Sequence, residues 1–188
     1  MNLTASQDLE RTASDEELML ASGRGDLSAF EELVLRYQSL AWNATYRILG
    51  DPAEAEDSAQ EAFLRVWASA KRYRPRALFR TYLYRVLTRI CIDRSSKRKP
   101  IYSKQIPEVA DHRPPPLCQL LDEEREKTVR TALDRLSPHQ RMAVVLKYFE
   151  GLRYSDIAKI MEISTKAVER LLARARERLE QDLAALLG

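Results

Sequence analysis

The sequence predicts an all-α protein: two small helical domains joined by a proline-rich linker, the second containing a helix-turn-helix. Three observations predict it. Glycine is scarce, with five among 188 residues, and strong helix formers fill segments whose apolar residues recur three and four apart. No long alternating Val/Ile/Thr run offers a strand. Pro100, Pro107, Pro114, Pro115 and Pro116 then interrupt the helical period between two such stretches. The organisation expected is a polar tail over 1–13, a first domain over 14–98, the linker over 99–118 and a second domain over 119–188.

Each helix has a physical start and stop. Ser14 followed by Asp15, Glu16 and Glu17 places a capping hydroxyl before acids that suit the positive end of a helix. Gly23-Arg24-Gly25-Asp26 ends this first helix. A longer one begins near Ser28, with Phe30, Leu33, Val34, Tyr37, Leu40 and Ala41 on one side, and Gly50-Asp51-Pro52 stops it after Leu49. The third spans Ala53 to Ala70, burying Ala55, Ala59, Ala62, Phe63, Val66 and Trp67. Glu54, Asp57 and Glu61 fall together on its other side, and no Lys or Arg occurs between Arg47 and Arg65. After a loop holding Pro75, the fourth helix runs from Phe79 to Ser96. Phe79, Leu83, Val86, Leu87 and Ile90 point into a core, while Tyr82, Arg85 and Arg89 form an adjacent stripe.

The second domain reads in the same way. One helix covers Glu123 to Leu136. Ser137-Pro138, a cap followed by proline at the first helical position, opens another that continues to Phe149. Tyr154 to Met161 form a short helix, Glu162-Ile163-Ser164 a turn, and a last helix directs Val168, Leu171, Leu172, Ala175 and Leu179 inward. Thr165, Lys166, Glu169, Arg170, Ala173, Arg174 and Arg176 are left outward, where a helix in the major groove meets base edges and phosphates.

Charge narrows the function. Residues 1–70 hold thirteen acids against five bases, whereas residues 71–99 hold eleven bases and one acid, Asp93, in a chain whose net charge is only +3. The bases of that segment are interleaved with Tyr73, Phe79, Tyr82 and Tyr84. Cationic side chains suit phosphates and rings suit unstacked bases, a pairing of chemistries that a duplex-only binder does not need. The nucleic-acid surface this suggests comprises Lys71, Arg72, Tyr73, Arg74, Arg76, Phe79, Arg80, Tyr82, Arg85 and Arg89. Cys91 and Cys118 form no C-x-x-C pair and His112 and His139 stand alone, so no metal-ligand spacing exists. No nucleophile–base pair or phosphate loop is present, which leaves no catalytic residue and no cofactor to expect. Two cysteines without a signal peptide, and no apolar run of membrane-crossing length, fit a cytoplasmic protein.

Three stretches carry a resemblance. They are the run from Asp51 to Trp67, the run from Phe79 to Val86, and Leu136–Arg141 followed by Tyr148–Ala158. In that order they resemble the extracytoplasmic-function sigma factors, the small two-domain initiation subunits of bacterial RNA polymerase. The resemblance implies that Glu54, Asp57, Gln60 and Glu61 dock on the coiled coil of the polymerase's largest subunit. It implies that the basic-aromatic segment recognises the melted minus-ten element, with an extruded base in the Lys71–Leu78 loop. It also implies that the helix-turn-helix reads the duplex minus-thirty-five element, and that an anti-sigma partner holds the free protein inactive. Four positions depart from the family pattern: Tyr82 replaces tryptophan, Arg89 a common asparagine, Arg153 a capping serine or threonine, and Glu162 the usual turn glycine. Two other readings stay open on the residues alone. A helix-turn-helix repressor or activator would bind duplex operator without polymerase, and a helical adaptor would bind only proteins. The acidic helix argues against the first and the Lys71–Lys99 charge against the second.

Overall fold

The computed structural model describes residues 13–97 and 128–187, with side chains to residue 182. The linker expected over 99–118, and all but the last residue of the tail expected over 1–13, lie outside them. Among the described residues every regular element is helical. Helix α1 spans Asp15–Gly23, α2 Leu27–Leu49, α3 Pro52–Ser69 and α4 Phe79–Lys97, with a 3-10 turn at Ala70–Arg72. Residues 128–134 form α5; α6 follows at Pro138–Val144, α7 at Tyr154–Met161 and α8 at Thr165–Leu187.

The capping chemistry acts where the residues place it. Ser14 and Glu17 close a reciprocal capping box on α1, and Ser137 and Gln140 do the same on α6. Asp26 and Asp51 accept from Ala29 and Glu54 backbone amides at 3.0 and 2.9 Å, fixing the starts of α2 and α3. The amide of Phe79 at the start of α4 donates to Glu16 Oε1 of α1 at 2.8 Å, a cap supplied across the fold. Gly50 ends α2 at φ 76°, a left-handed conformation that glycine adopts without a Cβ clash. Ala13 belongs to the folded part: its carbonyl accepts from Arg36 at 2.9 Å.

Two features lie beyond what the sequence specifies. The helix opened by Ser137 widens into a π turn over Val145–Phe149, where Glu150 N–H reaches back to the Val145 carbonyl. The extra residue per turn rotates the end of the helix, so Phe149 is exposed, with the Arg47 guanidinium 4.8 Å above its ring. The two halves also pack against each other, an arrangement the residues alone leave open. Their apolar residues form one continuous core, from Met19, Leu33, Phe79 and Leu87 to Met142, Leu146, Ile157 and Val168. Arg141, 8% exposed, ties them by donating to Ile48 O at the end of α2 (2.8 Å) and to Leu133 O (2.7 Å). Thr88 of α4 reaches Met142 Sδ of α6 at 3.5 Å, and Arg130 lies 4.3 Å over the Tyr46 ring.

Candidate nucleic-acid interface and polymerase-facing helix

Helix α3 turns Ala55, Ala59, Ala62, Phe63 and Val66 into the core and its acids outward, as a hundred-degree step requires. Asp57 and Gln60 are exposed and Glu54 is half-buried. Glu61 is different, because Arg65 and Arg94 bracket its two oxygens at 2.6 and 2.9 Å. The Arg94 hydrogen bond, more than that of Arg65, holds this carboxyl below its ordinary pKa. A surface partner therefore meets Asp57 and Gln60 directly and finds Glu61 already engaged.

The turn Ala70–Arg72, the loop after it and the first turns of α4 enclose a cavity of about 490 Å³. Tyr73, Tyr82, Ser69, Arg76 and Arg85 line it from the first half, and Lys159 of α7 lines it from the second. Gly23 permits the turn to sit so close, since a Cβ there would stand 2.6 Å from the Ala70 carbonyl oxygen. The rings of Tyr73 and Tyr82 meet edge to face at 5.4 Å, and the Tyr82 and Ser69 hydroxyls share a hydrogen bond. The buried Tyr73 hydroxyl has no hydrogen-bond partner, and burial pushes its pKa up to about 12. Such a hollow, walled by rings and guanidinium groups, suits a flat ring attached to a phosphodiester.

Lys71, Arg72, Arg74 and Arg76 are exposed along the rim, as the sequence suggests. Phe79 is a correction to the surface expected from sequence. Its ring is fully buried and packs 5.2 Å from Tyr37, so it supports the site from beneath and cannot touch DNA. Tyr73 is 6% exposed and offers only an edge to the hollow.

The other α4 residues lie against the second half. Arg80 Nη2 stands 3.3 Å from Oε2 of Glu150, and the Tyr84 hydroxyl donates to the same carboxylate, whose side chain is 8% exposed. Burial disfavours the Arg80 charge, but Tyr84 and Glu150 more than offset it and raise its pKa. Arg85 Nη2 donates to the Lys159 carbonyl at 3.2 Å, and Arg89 Nη2 to Glu162 Oε1 at 2.7 Å. Glu150 and Lys159 escape sequence reasoning. One looks like the end of a helix and the other like a solvated base, and only the docking of the halves gives them partners.

In the helix-turn-helix, Ile157, Ile160, Val168, Leu172 and Ala175 are buried between α7 and α8. Ser164 caps α8, its Oγ accepting from the Ala167 amide at 3.2 Å. Arg153 begins α7 without a side-chain cap, and Glu162 ends it at φ 57°, the glycine-favoured conformation. Thr165, Lys166, Glu169, Arg170, Ala173, Arg174 and Arg176 are all exposed along one arc of α8, with Arg176 donating to the Tyr148 hydroxyl at 3.3 Å. Among the described residues, no helix is long and apolar enough to cross a membrane.

Comparison with known proteins agrees with this geometry. Residues 33–101 match the family model of Sigma-70 region 2, and residues 126–179 that of Sigma-70, region 4. The chain is 34% identical to RNA polymerase sigma-H factor of Pseudomonas aeruginosa, over 92% of this chain and 95% of that protein. It is 30% identical to the ECF RNA polymerase sigma factor SigW of Bacillus subtilis, over 85% and 91%. The solved structure of CnrH in complex with the cytosolic domain of CnrY superposes with TM-score 0.69 at 25% identity, covering 92% of this chain and 99% of that one. The sigma factor RpoE in complex with the anti-sigma factor NepR from Bartonella quintana shares the fold, with TM-score 0.59 over 82% and 96% of the two chains. The chain belongs to the extracytoplasmic-function group of the sigma-70 family and is a non-enzymatic transcription initiation factor that acts with RNA polymerase on promoter DNA.

Proposed function

We propose that this sigma factor works in the cytoplasm and divides its task among three surfaces. The outer face of α3, led by Asp57 and Gln60 with Glu54 beside them, docks on the coiled coil of the largest polymerase subunit. The arc from Thr165 to Arg176 on α8 enters the major groove at the minus-thirty-five element. The cavity lined by Tyr73 and Tyr82 takes a base extruded from the melted minus-ten strand, with Lys71, Arg72, Arg74 and Arg76 on the flanking phosphates. An anti-sigma partner, of the kind with which the relatives of this fold are found, covers these faces until a signal releases them.

The cavity is the observation that carries this reading. Extruding a base costs a few kcal/mol, and stacking on an aromatic ring returns about 1–3 kcal/mol. The balance is close, so the identity of the base decides whether opening proceeds, and no ATP hydrolysis is required. Tyr82→Ala removes the ring and leaves α4 in place. Run-off transcription with core polymerase is expected to fall about tenfold or more, with permanganate reactivity of the melted thymines falling alongside while binding to closed duplex holds. Equal permanganate reactivity in mutant and wild type refutes the stacking role. Loss of co-elution with core polymerase in the Asp57→Lys, Gln60→Lys double variant tests the docking face separately.

A further inference from the structure

Tyr148 lies outside α8 yet touches its outward arc. It belongs to the π turn over Val145–Phe149, and both Val144 and Val145, just before it in the chain, are buried. An unbroken α-helix would carry Tyr148 onto the face of these two valines and beneath the surface. Within the π turn it is instead 56% exposed, and its hydroxyl accepts from Arg176 Nη2 of α8 at 3.3 Å. The preceding Lys147 turns to the other helix of the pair. Its ammonium lies 5.0 Å over the Tyr154 ring of α7 and donates to the Leu152 carbonyl at 3.4 Å. The end of α6 therefore sends consecutive side chains to both helices of the helix-turn-helix.

We propose that Tyr148 is a DNA-backbone residue of this sigma factor: it positions Arg176 on a phosphate and donates its own hydroxyl proton to the same group. The inference rests on the assignment of the α8 arc to duplex DNA made above. Arg176 lies about 16 Å along the helix axis from Thr165, so it is far from the base edges that the start of α8 meets. An arginine at that level holds the strand and carries no sequence information. Its long side chain is exposed, and fixing it costs rotamer freedom that a preformed hydrogen bond removes before DNA arrives. A tyrosine hydroxyl that accepts from a guanidinium keeps its own proton to give. That proton of Tyr148 has no acceptor among the described residues. Phenol and guanidinium thus offer two donors at one point of the surface, and the oxygens of one phosphate accept from both.

The test uses the full-length chain and a fluorescein-labelled duplex of random sequence, because a phosphate contact is blind to base identity. Binding is followed by anisotropy as sodium chloride rises, and the slope of log K against log salt counts the phosphates neutralised. Arg176→Ala is expected to lower that slope by about one. Tyr148→Phe keeps the ring and the net charge. It is expected to weaken binding about fivefold at low salt and to make the slope shallower, although no charge has been removed. A merely structural tyrosine would not move the slope. Adding Tyr148→Phe to Arg176→Ala should cost less than about twofold more, because the two side chains act on one phosphate. An unchanged slope in Tyr148→Phe overturns the proposal, as does a double variant whose two losses multiply. Where Arg176→Ala lowers the slope and Tyr148→Phe does not, the α8 assignment stands and the role of Tyr148 alone falls. If Arg176→Ala leaves binding and slope unchanged, the proposal falls together with the placing of Arg176 on DNA.

Discussion

Helices α4 and α8 are both arginine-bearing and both proposed to bind DNA, yet the rest of the fold meets their side chains differently. Every outward residue of α8 from Thr165 to Arg176 is exposed to solvent. On α4, Arg80, Arg85 and Arg89 each meet a carboxylate or a carbonyl of the second half. The amino-acid type does not make this difference; the partner surface does. A groove-reading helix can be presented from the outset, because duplex DNA is always available to it. A helix proposed to seize single strands has no substrate until melting begins.

The comparison depends on the two halves being one packed unit, and Arg141 is the point at which to break it. Its guanidinium serves Ile48 O and Leu133 O and pairs with Asp134 at 2.7 Å. Arg141→Ala strips the donor from two buried carbonyls at the junction of α2, α5 and α6. The expected loss is about 3 kcal/mol of stability, read as a lowered urea midpoint, with the halves then unfolding in separate transitions. A single transition at the wild-type midpoint would mean that the halves do not depend on this contact.

How much of this was legible in the sequence depends on distance along the chain. The caps Ser14, Ser137 and Ser164 act on amides three residues ahead, so local spacing reveals them, whereas Asp26 and Asp51 read only as stops of the helices before them. The inward stripes of α3 and α8 follow from the period of the helix. Phe79 was placed inward by the helical period and on the DNA surface by its basic neighbours, and the first placement holds, since its ring packs on Tyr37. The exposure of Phe149 was not legible because nothing in a hydrophobic period signals the one-residue insertion of a π turn. Glu150, Lys159 and Glu162 gain their meaning from partners about seventy residues away, across a connection whose course the sequence does not specify. Even so, the signal for Glu162 and Arg89 was present as two unusual residues, and what the sequence withheld was that they are neighbours.

Arg170 sharpens the comparison from the α8 side. It is exposed near the start of α8, the helix proposed to enter the groove, where such side chains reach base edges. Arg170→Ala is expected to weaken binding of upstream duplex by about 1–3 kcal/mol, visible as loss of the upstream part of a promoter footprint. The radius of gyration of the free protein should stay the same in this variant, since Arg80, Arg85 and Arg89 of α4 meet Glu150, Lys159 and Glu162 rather than α8. A footprint unaltered in Arg170→Ala would remove this residue from the reading face.

The smallest effect concerns Glu162 itself, where two terms of similar size oppose each other. Relief of the left-handed backbone by Glu162→Gly returns about 1 kcal/mol. The ion pair lost with Arg89, whose side chains are 60% and 52% exposed, is worth at most about 1 kcal/mol. The thermal midpoint of the variant should therefore lie close to that of the wild type, although its halves separate more readily. Acid should imitate the substitution. Arg89, with burial opposing it and Arg85 adding to it, holds the Glu162 carboxyl below its ordinary value of 4.5. The pair's contribution to closure is then complete above about pH 4.5 and fades as pH falls through the lowered value. Over that range the wild-type radius of gyration should converge on that of Glu162→Gly at the same pH. A gap between the two that persists below it would place the closing force elsewhere than in this carboxylate.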